Sequence, residues 1–222
     1  MASRLTLSEA FQIFLRHASP PLLCIIMIAF LATRIFFFDE SLALADLFAL
    51  IGVMIYWPFQ EWWMHRYILH LPPIKLLGKE HEFGFARDHR LHHADPTDIP
   101  LSFLPIPVIL ISLLVYTGIG YLITGSWAYS CSFMVGATSS TILYEWTHFL
   151  THTNYKPVSA YYRSIWKLHR WHHYKHEGYW FSFTVPWLDG WFGTGPDVKD
   201  VAHSPTARDL RGSEVAKEVA KN

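Results

Sequence analysis

The chain is organised by four long apolar stretches, at about residues 21–38, 42–63, 101–124 and 127–150, separated by polar connections. Each approaches the roughly 20 residues that a helix needs to cross the hydrocarbon core of a bilayer. The pattern therefore predicts an all-α protein of four transmembrane helices. The links at 39–41 and 120–126 are short enough to make the spans two hairpins. Arg34 falls near the end of the first stretch, where a long stem can snorkel to the interface. Pro105 and Pro107 fall in the first turns of the third, where a missing N–H costs little. Residues 1–20 read as an N-terminal arm, with Leu5, Leu7, Phe11, Phe14 and Leu15 suited to an interfacial helix. Residues 21–198 make the membrane domain, and 199–222 read as a soluble tail of little consequence.

Basic residues orient the spans. The two short links contain no Lys or Arg. The loop at 66–90 carries five, Arg66, Lys75, Lys79, Arg87 and Arg90, and the chain after Leu150 carries ten. By the positive-inside rule both termini and the 64–100 loop are cytosolic. Composition agrees with a membrane chain: charged residues make up 16%, against about 25% in soluble domains. The alternative of four buried helices in a soluble bundle fits that balance poorly. A net charge of zero gives no bulk attraction to nucleic acid, and none is expected as a partner. Cys24 and Cys131 both lie in apolar stretches, which argues against a disulfide framework or a thiolate metal site. The first 21 residues show no cleavable signal pattern and are expected to stay on the mature protein.

Ten of the fourteen histidines change the picture. They fall in four clusters: His65 and His70; His89, His92 and His93; His148 and His152; His169, His172 and His173. All four lie on the side that Lys and Arg independently mark as cytosolic, so a histidine-rich helical cap is expected there. On a helix, residues three or four apart share a face, so such pairs offer two imidazoles to one point. The extra histidine of each HxxHH points about 100° away, toward a second ion. His65 and His70, five apart, do not share an α-helical face; Leu71-Pro72-Pro73 implies that the helix unwinds and brings His70 round. Imidazole suits Fe, Zn, Cu and Ni, and ten imidazoles suit two ions. A lone interfacial histidine is ordinarily a polar cap, but four clusters on one face are not explained that way. His17, His81, His176 and His203 are taken as bystanders, with His81 and His176 the best placed to assist.

The flanking residues carry a resemblance. Glu61-Trp62-Trp63-Met64-His65-Arg66-Tyr67-Ile68-Leu69-His70, Tyr144-Glu145-Trp146-Thr147-His148-Phe149-Leu150-Thr151-His152, and Gly178 to Ser182 followed by Trp187 to Thr194 resemble the fatty acid hydroxylase/sterol desaturase superfamily, closest to its fatty acid 2-hydroxylase branch. The resemblance covers about residues 45–196. It implies an oxidoreductase in which the ten histidines hold two Fe ions, with Zn as a substitute and O2 as co-substrate. The substrate would be a lipid acyl chain hydroxylated by a membrane monooxygenase, with the 2-position suggested by the branch. Electrons would come from an external donor of cytochrome b5 or ferredoxin type. Departures are Asp88 and the His-Arg-Leu-His-His form of the second box, the bulky Tyr179-Trp180 after Gly178, and the lack of a preceding cytochrome b5 domain. They leave the acyl substrate and the donor open. The compact loops favour a bacterial inner membrane over the endoplasmic reticulum. Glu61 and Glu145 read equally as groups orienting imidazoles or as interfacial acids without function.

Two rivals share the scaffold, carotenoid and sterol hydroxylation or desaturation. From other classes, a zinc-dependent membrane hydrolase would need an HExxH helix, which neither His81-Glu82 nor His176-Glu177 completes. A metal transporter would place ligands mid-membrane.

Overall fold

The computed structural model describes residues 4–39, 41–208 and 210. Helices dominate: α1 (Leu7–Phe14), α2 (Ser19–Phe36), α3 (Leu44–Met64), α4 (Gly84–Ala94), α5 (Ile106–Thr124), α6 (Trp127–His152), α7 (Ala160–Tyr174) and the short α8 (Leu188–Trp191). One departure from the all-α expectation is a small antiparallel hairpin, β1 (Ile74–Leu76) with β2 (Lys79–His81). Its two-residue turn places Leu77 at φ 51° and Gly78 at φ 74°, the pair of positive angles that matches the twist of a tight hairpin.

The four long helices match the four apolar stretches to within a few residues, apart from the third. There the segment at 101–105 is a 3-10 turn and an extended link, and the helix begins at Ile106 with Pro105 as its N-cap. Of the long helices, Ser19–Phe36 and the Ile99–Thr124 stretch are apolar enough to cross a membrane by length and composition. Outward faces of α2, α3 and α5 expose Ile28, Ile55, Leu114 and Leu122, a belt suited to lipid contact.

The hub is α6, which packs against α2, α3 and α5 in turn. Small residues make this possible. At Gly136 a Cβ would lie 2.5 Å from the Leu50 carbonyl oxygen and 2.6 Å from Val53 Cγ1, so α3 and α6 touch almost backbone to backbone. Val53, Phe133, Met134 and Ala137 fill the seam.

Arg34 does not snorkel. It is 1% exposed and pairs with Asp46, Nε to Oδ1 at 2.6 Å and NH2 to Oδ2 at 2.7 Å, joining α2 to α3. Ser132 of α6 donates to the same carboxylate at 2.6 Å. A charge this deep is held by a partner because solvation is out of reach.

The N-terminal arm is partly an internal packing element. Thr6 and Glu9 form a capping box that starts α1, and its Ala10 and Phe14 are buried against Phe149 and Leu150 of α6. Leu7, Phe11 and Leu15 stay exposed. The expected tail also differs: residues 199–208 fold back onto the histidine cap, and 211–222 lie outside the described residues.

Candidate metal centre

All ten clustered histidines converge at one end of the bundle. They sort into two sets of five, each with its ligand-capable nitrogens within 4.8 Å of one another. One set holds His65, His70, His89, His93 and His172; the other holds His92, His148, His152, His169 and His173. No other residue type enters either set. The bystanders His17, His81, His176 and His203 belong to neither: His17 stacks on Phe103, and His176 accepts from Gly178 N.

Local structure explains the sorting. In both HxxHH segments the i and i+4 histidines stay together, His89 with His93 on α4 and His169 with His173 on α7. The middle histidine crosses to the other set, so His92 joins the α6 pair and His172 joins His65 and His70. The shared pair is thus the four-apart one, and the crossing residue is the second histidine of each segment, not the last. His65 and His70 meet by a route different from the expected unwinding. Residues His65–Leu69 form a π-helix, whose i→i+5 bonds widen the turn. In a regular α-helix five residues would leave the two side chains roughly 140° apart; the wider turn brings the ring centroids to 5.0 Å.

Backbone carbonyls fix the imidazoles. Nδ1 of His65 bonds Phe181 O at 2.6 Å, His93 bonds Ala207 O at 2.9 Å, His148 bonds Ser102 O at 2.9 Å and His172 bonds Tyr179 O at 2.7 Å. A carbonyl only accepts, so each Nδ1 carries the proton and each Nε2 presents a lone pair inward. Inward, Nε2 of His92 lies 3.0 Å from Nε2 of His148 and 3.1 Å from that of His152, and His169 Nε2 lies 2.8 Å from His152 Nε2. Nε2 of His65, His70 and His89 is buried with no hydrogen-bond partner among the described residues. Burial also holds these rings neutral: it pushes His65 down to about 3, His93 to about 4, and His70, His89, His169, His172 and His173 well below the ordinary value. Neutral rings with facing lone pairs and no protons between them repel unless a cation sits among them. This donor set fits a pair of imidazole-loving metal ions.

The carbonyl of Phe181 is itself held. Residues 181–184 form a strap over the site, and all four of its N–H groups donate to carboxylates: Phe181 and Ser182 to Asp189 at 2.9 Å each, Phe183 to Glu61 at 2.6 Å and Thr184 to Glu61 at 2.9 Å. The Phe183 ring stacks on His65 at 4.7 Å and touches His148 and His169. Burial raises the Asp189 carboxyl above the usual range. Neither Glu61 nor Glu145 hydrogen-bonds an imidazole. The sequence reading missed the strap's carboxylate clasp and the role of residues 201–208. Acids buried inside apolar helices were the available signal for the first; the second works through the Ala207 carbonyl, which leaves no side-chain mark.

Below the histidines a cavity of about 270 Å³ runs between α3, α5 and α6. His65, His89 and His148 form one end and Trp57, Tyr116 and Met134 lie toward the other. His148 and Met134 are fourteen residues apart on α6, about 21 Å of helix. Most of the wall is aliphatic or aromatic, with Thr138 and Thr141 bonded back to their own helix.

Known proteins support the same assignment. Among curated proteins none matches this chain in sequence. A solved structure described as full-length Scs7p, in which only the hydroxylase domain is visible, superposes with a TM-score of 0.63 at 21% identity, covering 90% of this chain and 70% of that one. At that identity the likeness speaks for the fold. The family model "Fatty acid hydroxylase" matches residues 50–194, a stretch that contains all ten clustered histidines, Glu61, Glu145, the strap and Asp189. The chain belongs to the fatty acid hydroxylase family and is an oxidoreductase of the hydroxylase type.

Proposed function

We propose that the chain is a four-span membrane monooxygenase that holds one iron ion in each histidine set and hydroxylates a lipid acyl chain near its carboxyl end, at the 2-position. The observation that carries this reading is the adjacency of two all-histidine sets to the end of an apolar cavity whose lining runs along α6 from His148 to Met134. When bound, a pair of iron ions supplies the O2-dependent oxidation of an unactivated C–H bond that no side chain can perform. The chain's own residues do the rest. Nδ1–H groups bonded to carbonyls keep Nε2 free as the donor atom. Phe181 and Phe183 seal the cap side against water. Trp57, Leu113 and Ala137 line the bed of an aliphatic tail, so that one methylene rests beside His65 and His148. The cavity's histidine end is at the predicted cytosolic interface, and its length extends toward the membrane interior. A lipid lying there tail-inward puts carbons close to its head next to the histidines, which favours oxidation near the carboxyl group.

In this proposal both termini and the histidine cap face the cytosol, as the distribution of Lys and Arg favours, and electrons arrive from an external carrier of cytochrome b5 or ferredoxin type. A reporter fused after Gly120 is expected outside the cytosol; cytosolic activity of that reporter ends the topology. His92→Ala and His172→Ala are each expected to abolish oxidation of added lipid while membrane insertion persists. Full activity in either variant ends the two-ion reading. Because each of these residues is the one its helix sends across, both changes also test the sorting into sets. A zinc hydrolase or a transporter on this scaffold would work without O2 and reductant, so dependence on both separates the classes.

A further inference from the structure

Two acids stand one helical turn ahead of the first histidine of their box: Glu61 four residues before His65, and Glu145 three before His148. Both are buried, at 5% and 0% exposure, and neither hydrogen-bonds an imidazole. Their hydrogen bonds follow one plan. Glu61 Oε1 accepts from Phe183 N at 2.6 Å and Thr184 N at 2.9 Å, and Oε2 accepts from Thr184 Oγ1 at 2.9 Å. Two residues before Phe183, the Phe181 carbonyl takes the His65 Nδ1 proton. Glu145 Oε1 accepts from Leu104 N at 2.9 Å, and Oε2 accepts from Ser19 Oγ at 3.0 Å. Two residues before Leu104, the Ser102 carbonyl takes the His148 Nδ1 proton.

We infer that Glu61 and Glu145 are positioning residues, one per metal, each anchoring the loop whose carbonyl sets the rotation of a single imidazole. The inference rests on the two-ion reading. His65 belongs to one set and His148 to the other, so the two relays serve different ions. Phe183, Thr184 and Leu104 all lie outside helices and strands. Ser102 is the last residue of a 3-10 turn, and the peptide of the Phe181 carbonyl is also held by Asp189 through Ser182 N, so Glu61 shares the strap with Asp189. The acid and its histidine share a helix, and the relay leaves that helix, crosses to a distant segment and returns to the ring one turn later. A ring free to rotate about its bonds would meet an ion with its nitrogen off axis; a ring pinned at Nδ1 would not.

What matters in this relay is acceptor atoms, not charge. Gln keeps a carbonyl oxygen for the backbone N–H groups, while Leu of similar volume keeps none. Iron per chain is measured on detergent-purified wild type and on Glu61→Leu, Glu61→Gln, Glu145→Leu and Glu145→Gln, with His65→Ala and His148→Ala as references. Wild type is expected to hold two irons, each Leu variant about one, and each Gln variant close to two. Glu61→Leu added to His65→Ala should remove nothing further, whereas Glu145→Leu added to His65→Ala should remove the second ion. Wild type without two irons overturns the reading beneath the inference. Wild type with two, and both Leu variants also with two, overturns the inference alone. Gln variants as poor as Leu variants overturn it as well, since they would assign the effect to charge. If a Leu variant does not form a monodisperse particle, Thr184→Val and Ser19→Ala remove one bond of each relay. Faster release of one ion of the two to a chelator supports the inference, and release unchanged from wild type overturns it.

Discussion

At the scale of single residues, the protein spends its buried polar groups on geometry. Asp46 gathers Arg34, Ser132 and the Ala43 N–H at the end of the bundle remote from the histidines. Removing one partner leaves the other largely buried and unpaired. Arg34→Met is expected to lower stability by about 3–5 kcal/mol, and Arg34→Met with Asp46→Leu by much less; denaturant titration in mixed micelles reads both. Asp189 plays a comparable part in the strap, where it takes two N–H groups and the Thr194 hydroxyl at 2.7 Å. Asp189→Ala leaves these donors unsatisfied, at about 1–3 kcal/mol each. The strap is then expected to loosen, seen as faster amide exchange over residues 181–184. Trp180, just before it, sits at φ 58° with 1% exposure, an unusual conformation for a bulky residue. It is the corner at which the chain turns between the carbonyls of Tyr179 and Phe181, which serve two different imidazoles.

Among elements, α6 is the one that everything else is measured against. Its contact with α3 at Gly136 has no spare room, so Gly136→Leu is expected to push the helices apart and cost about 1–3 kcal/mol or more. The readout is the melting midpoint of the purified protein. Facing the cavity on the same helix, Thr141→Phe should fill the bed proposed for the acyl tail. Lipid oxidation would drop by roughly a hundredfold while metal content stays at the wild-type level. The four long helices were legible in the sequence because apolar runs near bilayer length leave few alternatives. The ten histidines were legible for a similar reason, since so many imidazoles in repeated spacings have no ordinary structural use. The pairing inside each HxxHH was not. Sequence spacing gives angles around one helix axis but not the angle at which α4 and α7 approach each other, and that angle decides which residue crosses. The π-turn at His65–Leu69 was equally hidden, because it depends on where the chain must deliver His70. Residues 199–208 read as surface because their contribution is made by backbone and by Arg208, which donates to the His93 carbonyl at 2.7 Å.

For the molecule as a whole, the histidines act as a pH liability when no cation occupies them. Unfolded imidazoles titrate near 6.5, whereas burial holds the folded ones lower, His93 at about 4 and His65 at about 3. As pH falls the unfolded chain takes up protons first. Stability of the metal-free protein is therefore complete above about 6.5 and is lost progressively as pH falls toward 3. Bound metal competes with those protons, so the loaded protein is expected to hold its melting midpoint to lower pH than the metal-free form. Thermal melts of both forms at pH 7.5 and 5.5 measure the difference.

The exchange of His92 and His172 between α4 and α7 has a consequence for how the enzyme comes into being. A bundle still waiting for α7 offers four nitrogens at one position and three at the other, and one still waiting for α4 offers three and four. Neither half-built form has two complete nests. If each set holds an ion as proposed, completing either position requires both α4 and α7, and a chain arrested midway would lack the full pair. On that proposal the crossing histidines would tie chemistry to assembly, since neither nest closes until both helices have docked.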